Sequence, residues 1–249
     1  CAQYLGLGSA VWLWLYRYKD IARRMSLNRI KNFQALKRFF SVNFDIFLRT
    51  IGLIFAFAFF VSQSSGTGSV ILAANQILLQ YLSLMSYGVD GFAFAAESLV
   101  GRFMGADEKH RLKVTISRLF LWGCRLGAFF SVIYLFFAHE FLRIFTDQNA
   151  VIQAAEPYVG WLAVLPLAGS VAYMWDGIYI GATATRMMRN MMFFSLLAVY
   201  LPVYYLTKAH LGNHGLWLAM LCFMAARAVS LGIVSRRQIY SNGKKIKFA

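Results

Sequence analysis

The sequence predicts an all-α membrane protein, a polytopic helical bundle. Three observations predict it. The first is composition: of 249 residues, 59% are hydrophobic and only 14% charged. Soluble domains carry about 25% charged residues. The second is a series of six long apolar stretches, preceded by a shorter one. A membrane helix needs about 20 mainly apolar residues. The third is the placement of Lys and Arg. Of the 25 basic residues, 20 fall in every second gap between the stretches, two (Arg143 and Lys208) fall in the other gaps, and Arg49, Arg125 and Arg227 lie inside stretches. Basic residues are retained on the cytoplasmic side, so the alternation assigns the basic loops and the C-terminus to the cytoplasm. The net charge of +15 would suggest nucleic acid in a soluble chain. Here the basic residues can meet anionic lipid headgroups instead, and no nucleic-acid partner is expected.

In chain order, Gln3–Tyr16 is apolar and ends in a basic flank, Arg17–Lys19. It has neither the basic start nor the cleavage site of a signal peptide. Residues 1–18 therefore read as the end of a span whose beginning is missing, in a chain that is the C-terminal part of something longer. Residues 19–38 interleave Ile21, Met25 and Leu27 with basic residues, and read as a basic cytoplasmic connector. Spans follow over about 39–63, 70–100, 119–138, 157–182, 191–206 and 215–235. Residues 64–69 form a turn-rich loop. Residues 139–156 form an external segment holding Glu140, Asp147 and Glu156. The basic tail, 236–249, is cytoplasmic.

Within the spans, Gly101–Gly105, Gly123–Gly127 and Gly177–Gly181 have the small-xxx-small spacing that lets helices approach closely. Pro166 and Pro202 interrupt backbone hydrogen bonding and predict kinks.

Charges inside a bilayer cost at least about 2.5–3.5 kcal/mol each on insertion scales, so they are candidates for function. Asp176 stands out, with no basic residue within nine positions of it. It is a candidate to exchange a proton or bind a cation, unless a basic residue of another helix pairs with it. Asp90 lies mid-span, and Glu97, seven residues on, shares its helix face. Both are candidates for cation coupling, although Glu97 could simply pair with Arg102. Asp45 and Arg49 are spaced i, i+4 and are expected to pair on one face, as a charge switch lining the cavity. Arg49 is ~16 Å of helix beyond Arg38, too deep to snorkel comfortably. Asn75, Gln76 and Gln80 add polar groups to the second full span.

His210 and His214 sit four apart, but beside Gly212 and Asn213, so helical spacing for a metal is doubtful. Three Cys residues follow no pairing or zinc pattern. No metal, cofactor or catalytic motif is read, and no enzyme is expected.

The run Asp90-Gly91-Phe92-Ala93-Phe94-Ala95-Ala96-Glu97-Ser98-Leu99-Val100-Gly101, with Arg102 to Ala106 after it, resembles a span signature of the multidrug and toxic compound extrusion (MATE) family, in its DNA-damage-inducible protein F (DinF) branch. Asp176 to Thr183, with Arg186, Arg189 and Asn190, resembles the matching signature in the tenth helix. The resemblance implies that the chain is the C-terminal six-helix lobe of a twelve-helix transporter (residues 39–235), preceded by the end of helix six and a linker between lobes. It implies a multi-pass protein of the bacterial inner membrane that exports drugs, organic cations or toxic metabolites by alternating access. The driving force would be proton, less readily sodium, entry. Asp176 matches the helix-ten acid, and Arg49 lies where this branch is proposed to use an Arg. The N-terminal lobe, membrane lipids and a small organic substrate would be its partners. Two further readings remain at this point: a lipid-linked glycan flippase of the same superfamily, or a non-transporting membrane scaffold.

Overall fold

A computed structural model describes residues 2–17, 33–235 and 239. Most of the connector expected over residues 19–38, and the tail from 236 apart from residue 239, lie outside the described residues. The chain divides into two units, Cys1–Asn43 and Phe44–Ala249. The first contains helix α1 (Ala2–Arg17) and the opening turns of α2 (Phe33–Ser65). The side chains of residues 3–17 of α1 are exposed, and Trp12 stacks on Tyr16 within the helix. An apolar surface of this kind suits lipid.

The second unit continues α2 and adds α3 (Ser69–Gly105), α4 (Lys109–Phe145), the short α5 (Asn149–Ala155), α6 (Val159–Gly181), α7 (Thr185–Phe194), α8 (Leu201–Leu211) and α9 (Asn213–Ser235). A 3-10 turn, Glu156–Tyr158, joins α5 to α6. A π-helical segment, Ser195–Tyr200, joins α7 to α8 without a break. Among the described residues, six helices or continuous helical runs are long and apolar enough to cross a membrane, the last five being Ser69–Gly105, Lys109–Phe145, Asn149–Gly181, Thr185–Leu211 and Asn213–Ser235.

Most of the helices begin earlier than the apolar stretches alone predict, and α2, α3, α4 and α8 end later. Helix α2 starts at Phe33, not near 39, because Lys37 and Arg38 are good helix formers and nothing before them breaks the run. The external segment expected at 139–156 is largely helical, taken up by the last turns of α4 and by α5. The π segment sits just ahead of Pro202. A proline clashes with the carbonyl four residues earlier, and a wider turn accommodates it without ending the helix.

Pairwise contacts give the order of directions. Gly169 faces Met85, Gly177 faces Ala93 and Gly181 faces Glu97, so α3 and α6 run side by side in the same direction. A methyl added at Gly177 or Gly181 would overlap a backbone carbonyl of α3, which explains the absence of a side chain there. Gly123 against Met174 and Gly127 against Ser170 set α4 antiparallel to α6. Tyr179 donates to the Leu231 carbonyl at 2.9 Å, aligning α9 with α6. Tyr200 donates to the Ala56 carbonyl and Tyr204 to Gln63, aligning the α7–α8 span with α2. Two of the three small-residue pairs thus lie at helix crossings, while Gly105 meets open space.

Helices α3 and α6 end in the same turn. Glu108 N–H reaches the Phe103 carbonyl and Ala184 N–H reaches the Tyr179 carbonyl, five positions back in both cases. The residue before each, Asp107 (φ 52°) or Thr183 (φ 53°), is left-handed. This closes the helix ends with backbone donors.

Candidate functional site: a buried charge cluster

Asp176 lies in the last two turns of α6, where Gly177 brings the backbones of α6 and α3 together. Its Oδ2 accepts from Nη2 of Arg49 on α2 and, at 2.5 Å, from Nη2 of Arg227 on α9. Three helices therefore converge on one carboxylate oxygen. The other oxygen, Oδ1, is buried without a hydrogen-bond partner among the described residues, as is Nε of Arg49. Arg227 is 1% exposed, with its guanidinium 5.8 Å from the Tyr173 ring and 5.5 Å from the Phe223 ring. Cation–π contact replaces part of the water this charge has lost.

Asp90 joins the cluster because the α3–α6 crossing at Ala93 and Gly177 places it one turn away. It lies within electrostatic reach of Arg49 and Asp176. Tyr173, one turn before Asp176, feels the fields of Arg227, Asp176, Arg49 and Asp90. Two guanidiniums and two carboxyl groups thus lie within electrostatic reach of one another, Arg227 and Asp176 buried and Asp90 half-buried.

The sequence-predicted residues are sorted by this geometry. Asp176 and Asp90 come together. Glu97, seven residues or ~10 Å of helix beyond Asp90, stays apart. It makes no ion pair among the described residues, and Arg102 instead approaches the Phe103 ring at 6.0 Å. The expected Asp45–Arg49 pair is not formed. Arg49 turns to Asp176, whereas Asp45 Oδ1 accepts from Arg189 Nη1 at 2.5 Å and Oδ2 from Thr185 Oγ1 at 3.3 Å, both on α7. The reason is burial: Asp45 is 6% exposed and faces the bundle, so tertiary partners outcompete the i, i+4 neighbour. Arg125 finds no carboxylate and lies 5.1 Å over the Trp122 ring. His214 accepts from Trp161 Nε1 at 3.1 Å, which commits its Nδ1.

Sequence reasoning named Arg189 only as part of the family signature and missed its tie to Asp45, and it missed Thr185, which is spaced i, i+4 from Arg189 and shares its face of α7. It also missed a second buried network near the opposite end of the bundle. Asn75 Nδ2 donates to Ser64 Oγ (2.6 Å) and Asn213 Oδ1 (2.7 Å), while Asn75 Oδ1 accepts from Asn213 Nδ2 (3.1 Å) and Trp217 Nε1 (2.9 Å). It ties α2, α3 and α9 together.

Residues 45–206 match the MatE family. The chain belongs to the MatE family. It is 35% identical over 213 residues to DNA damage-inducible protein F of Escherichia coli, an alignment covering 83% of this chain and 44% of that protein. It is 26% identical to Protein DETOXIFICATION 42 of Arabidopsis thaliana, over 91% of this chain and 43% of that protein. The chain thus spans under half the length of these relatives. Among solved structures, its fold is similar to the Vibrio cholerae MATE transporter VcmN in the bent form, with a TM-score of 0.80 and 15% identity over 93% of this chain and 54% of that one. An outward-facing MATE transporter of the MOP superfamily gives 0.76 at 16% identity, over 92% and 52%. The all-α bundle and the DinF-like family expected from the sequence are both found.

Proposed function

We propose that this chain is the C-terminal half of a secondary transporter that exports organic compounds across the bacterial inner membrane, and that proton entry drives it through the Asp176 cluster. Residues 1–18 would be the end of helix six, 19–38 the link between lobes, 39–235 the C-terminal lobe and 236–249 a cytoplasmic tail. The family, and the multidrug-resistance names of several of its members, support export of drugs or toxic compounds.

The observation that carries the coupling is the single carboxylate, Asp176, bridging Arg49 and Arg227 with one oxygen left free. A sodium ion entering this space would meet two guanidiniums at close range, and like charges in a poorly solvated site repel strongly. A proton adds directly to a carboxyl oxygen and leaves no extra ion to coordinate. Protonation of Asp176 removes the negative charge that holds Arg49, and protonation of Asp90 beside it removes a second negative charge within electrostatic reach of Arg49. Helix α2 is then freed from α6 and α9 at that level. In alternating access, such a two-state contact is what a coupling ion must bias. The flippase reading is weaker, because Arg49 and Arg227 are both already engaged by Asp176. That leaves few cations for a pyrophosphate.

The test uses the complete protein in proteoliposomes loaded with a fluorescent organic cation. An imposed pH gradient without sodium is predicted to drive substrate movement, and a sodium gradient at uniform pH is predicted to drive none. The reverse pattern would refute proton coupling. Movement under neither gradient would refute the exporter reading.

A further inference from the structure

A crevice of about 440 Å³ opens between α4, α6 and α9, away from the charge cluster. Its α4 wall is one helical stripe, Lys113, Ile116, Ser117 and Phe120. Lys113 is exposed at the end where α4 begins, and Phe120 lies ~10 Å further along the helix. There the Phe120 and Trp175 rings meet edge to face, 4.7 Å between centroids, and close the deep end. Gly232 of α9 leaves the indole edge uncovered: a side chain there would place its first carbon 3.5 Å from Trp175 Nε1.

The polar groups along this crevice are mainly donors. Lys113 has no ion-pair partner, and neither Ser117 Oγ nor Trp175 Nε1 has a hydrogen-bond partner among the described residues. No acidic residue lines the crevice. A fitting ligand therefore carries negative charge at the Lys113 end, acceptors below it, and an apolar chain toward Ile116 and Phe120. Nearby charge favours an anion. The first turns of α4 carry Lys109, Lys113 and Arg118, Glu108 is engaged with Arg111 at 3.0 Å, and only Asp107 stands against them. In sequence, Arg236 and Arg237 follow directly on Ser235, which also lines the crevice.

We infer that this crevice is a binding site for one anionic phospholipid of the leaflet that meets the start of α4. The phosphate lies at Lys113, the ester carbonyls face Ser117 and Trp175, and an acyl chain runs over Phe120. Basic pockets between membrane helices take anionic headgroups in this way. The inference rests on membrane placement alone and stands apart from the transport reading.

Native mass spectrometry of the protein in micelles tests it, with phosphatidylglycerol, phosphatidylcholine and the soluble headgroup glycerophosphoglycerol as probes. The wild type is expected to retain one phosphatidylglycerol at least about fivefold more tightly than phosphatidylcholine, the preference one lysine supplies at a membrane surface. Lys113→Gln should abolish that preference. Trp175→Phe, which keeps the ring packing, should weaken both lipids. Gly232→Leu should fill the crevice and exclude both. Lys208→Gln, at the far end of the bundle, should change nothing. Unaltered preference in Lys113→Gln would overturn the proposal. So would unaltered lipid retention in Gly232→Leu, or headgroup binding as tight as the whole lipid.

Discussion

Replacing Asp176 by Asn removes the charge on which two arginines converge. Arg227 is 1% exposed and has no other acidic partner among the described residues, so its charge is left enclosed and uncompensated. Arg49, at 15% side-chain exposure, has more room to find water. Breaking a buried ion pair from one side costs about 3–5 kcal/mol in soluble proteins. Interhelical hydrogen bonds in membranes are worth less, averaging about 0.6 kcal/mol. The Asn carbonyl still accepts one bond, and Tyr173 and Phe223 still face the guanidinium, so the low end applies. We expect Asp176→Asn to destabilise the bundle by about 3 kcal/mol. Adding Arg227→Met restores charge balance, leaving Arg49 opposite Asp90, and should recover about 2 kcal/mol of that loss. Equilibrium unfolding in mixed micelles on wild type, both single variants and the double variant measures the coupling as a cycle. A loss below about 0.5 kcal/mol in Asp176→Asn, or effects that add within about 0.5 kcal/mol, would refute a shared buried carboxylate.

Three other outcomes follow from the packing. Gly177→Ala should cost about 1–3 kcal/mol by forcing α3 and α6 apart at Ala93, while Gly105→Ala, with open space around it, should leave thermal stability nearly unchanged. Asn75→Leu removes the shared partner of Ser64, Asn213 and Trp217 and should cost about 2–4 kcal/mol in the same unfolding assay. Asp45→Asn loosens the tie to Arg189, whose side chain is 24% exposed, so the expected cost is only about 1 kcal/mol. Its clearer readout is faster amide exchange in residues 185–192 with α9 unaffected.

The spans were legible because apolar composition over about 20 residues is a local property. Asp176, Asp90 and Arg49 were legible for the same reason: a charge in an apolar run stands out wherever the run packs. Their partners were not legible. The i, i+4 spacing of Asp45 and Arg49 describes one isolated helix, whereas Arg189 is 144 positions away and reaches Asp45 only once α7 lies beside α2. Arg189 also reads as one more basic residue of a short loop, since the apolar run begins after it. Asn75 was noticed as polar, but Ser64, Asn213 and Trp217 are common at span ends and carry no local mark of a network. Glycine spacing alone could not say that Gly177 and Gly181 touch backbone while Gly105 touches nothing. The π segment before Pro202 had only the proline as its signal.

The central claim is that the Asp176 cluster links proton movement to substrate movement. The direct measurement is proton flux, read by a pH-sensitive dye inside proteoliposomes of the complete protein, when substrate is added without an imposed gradient. Wild type is compared with the charge-balanced Asp176→Asn/Arg227→Met variant. We predict that substrate moves protons in the wild type and none in the variant, with substrate binding retained by both. Equal proton flux in the two would contradict the account.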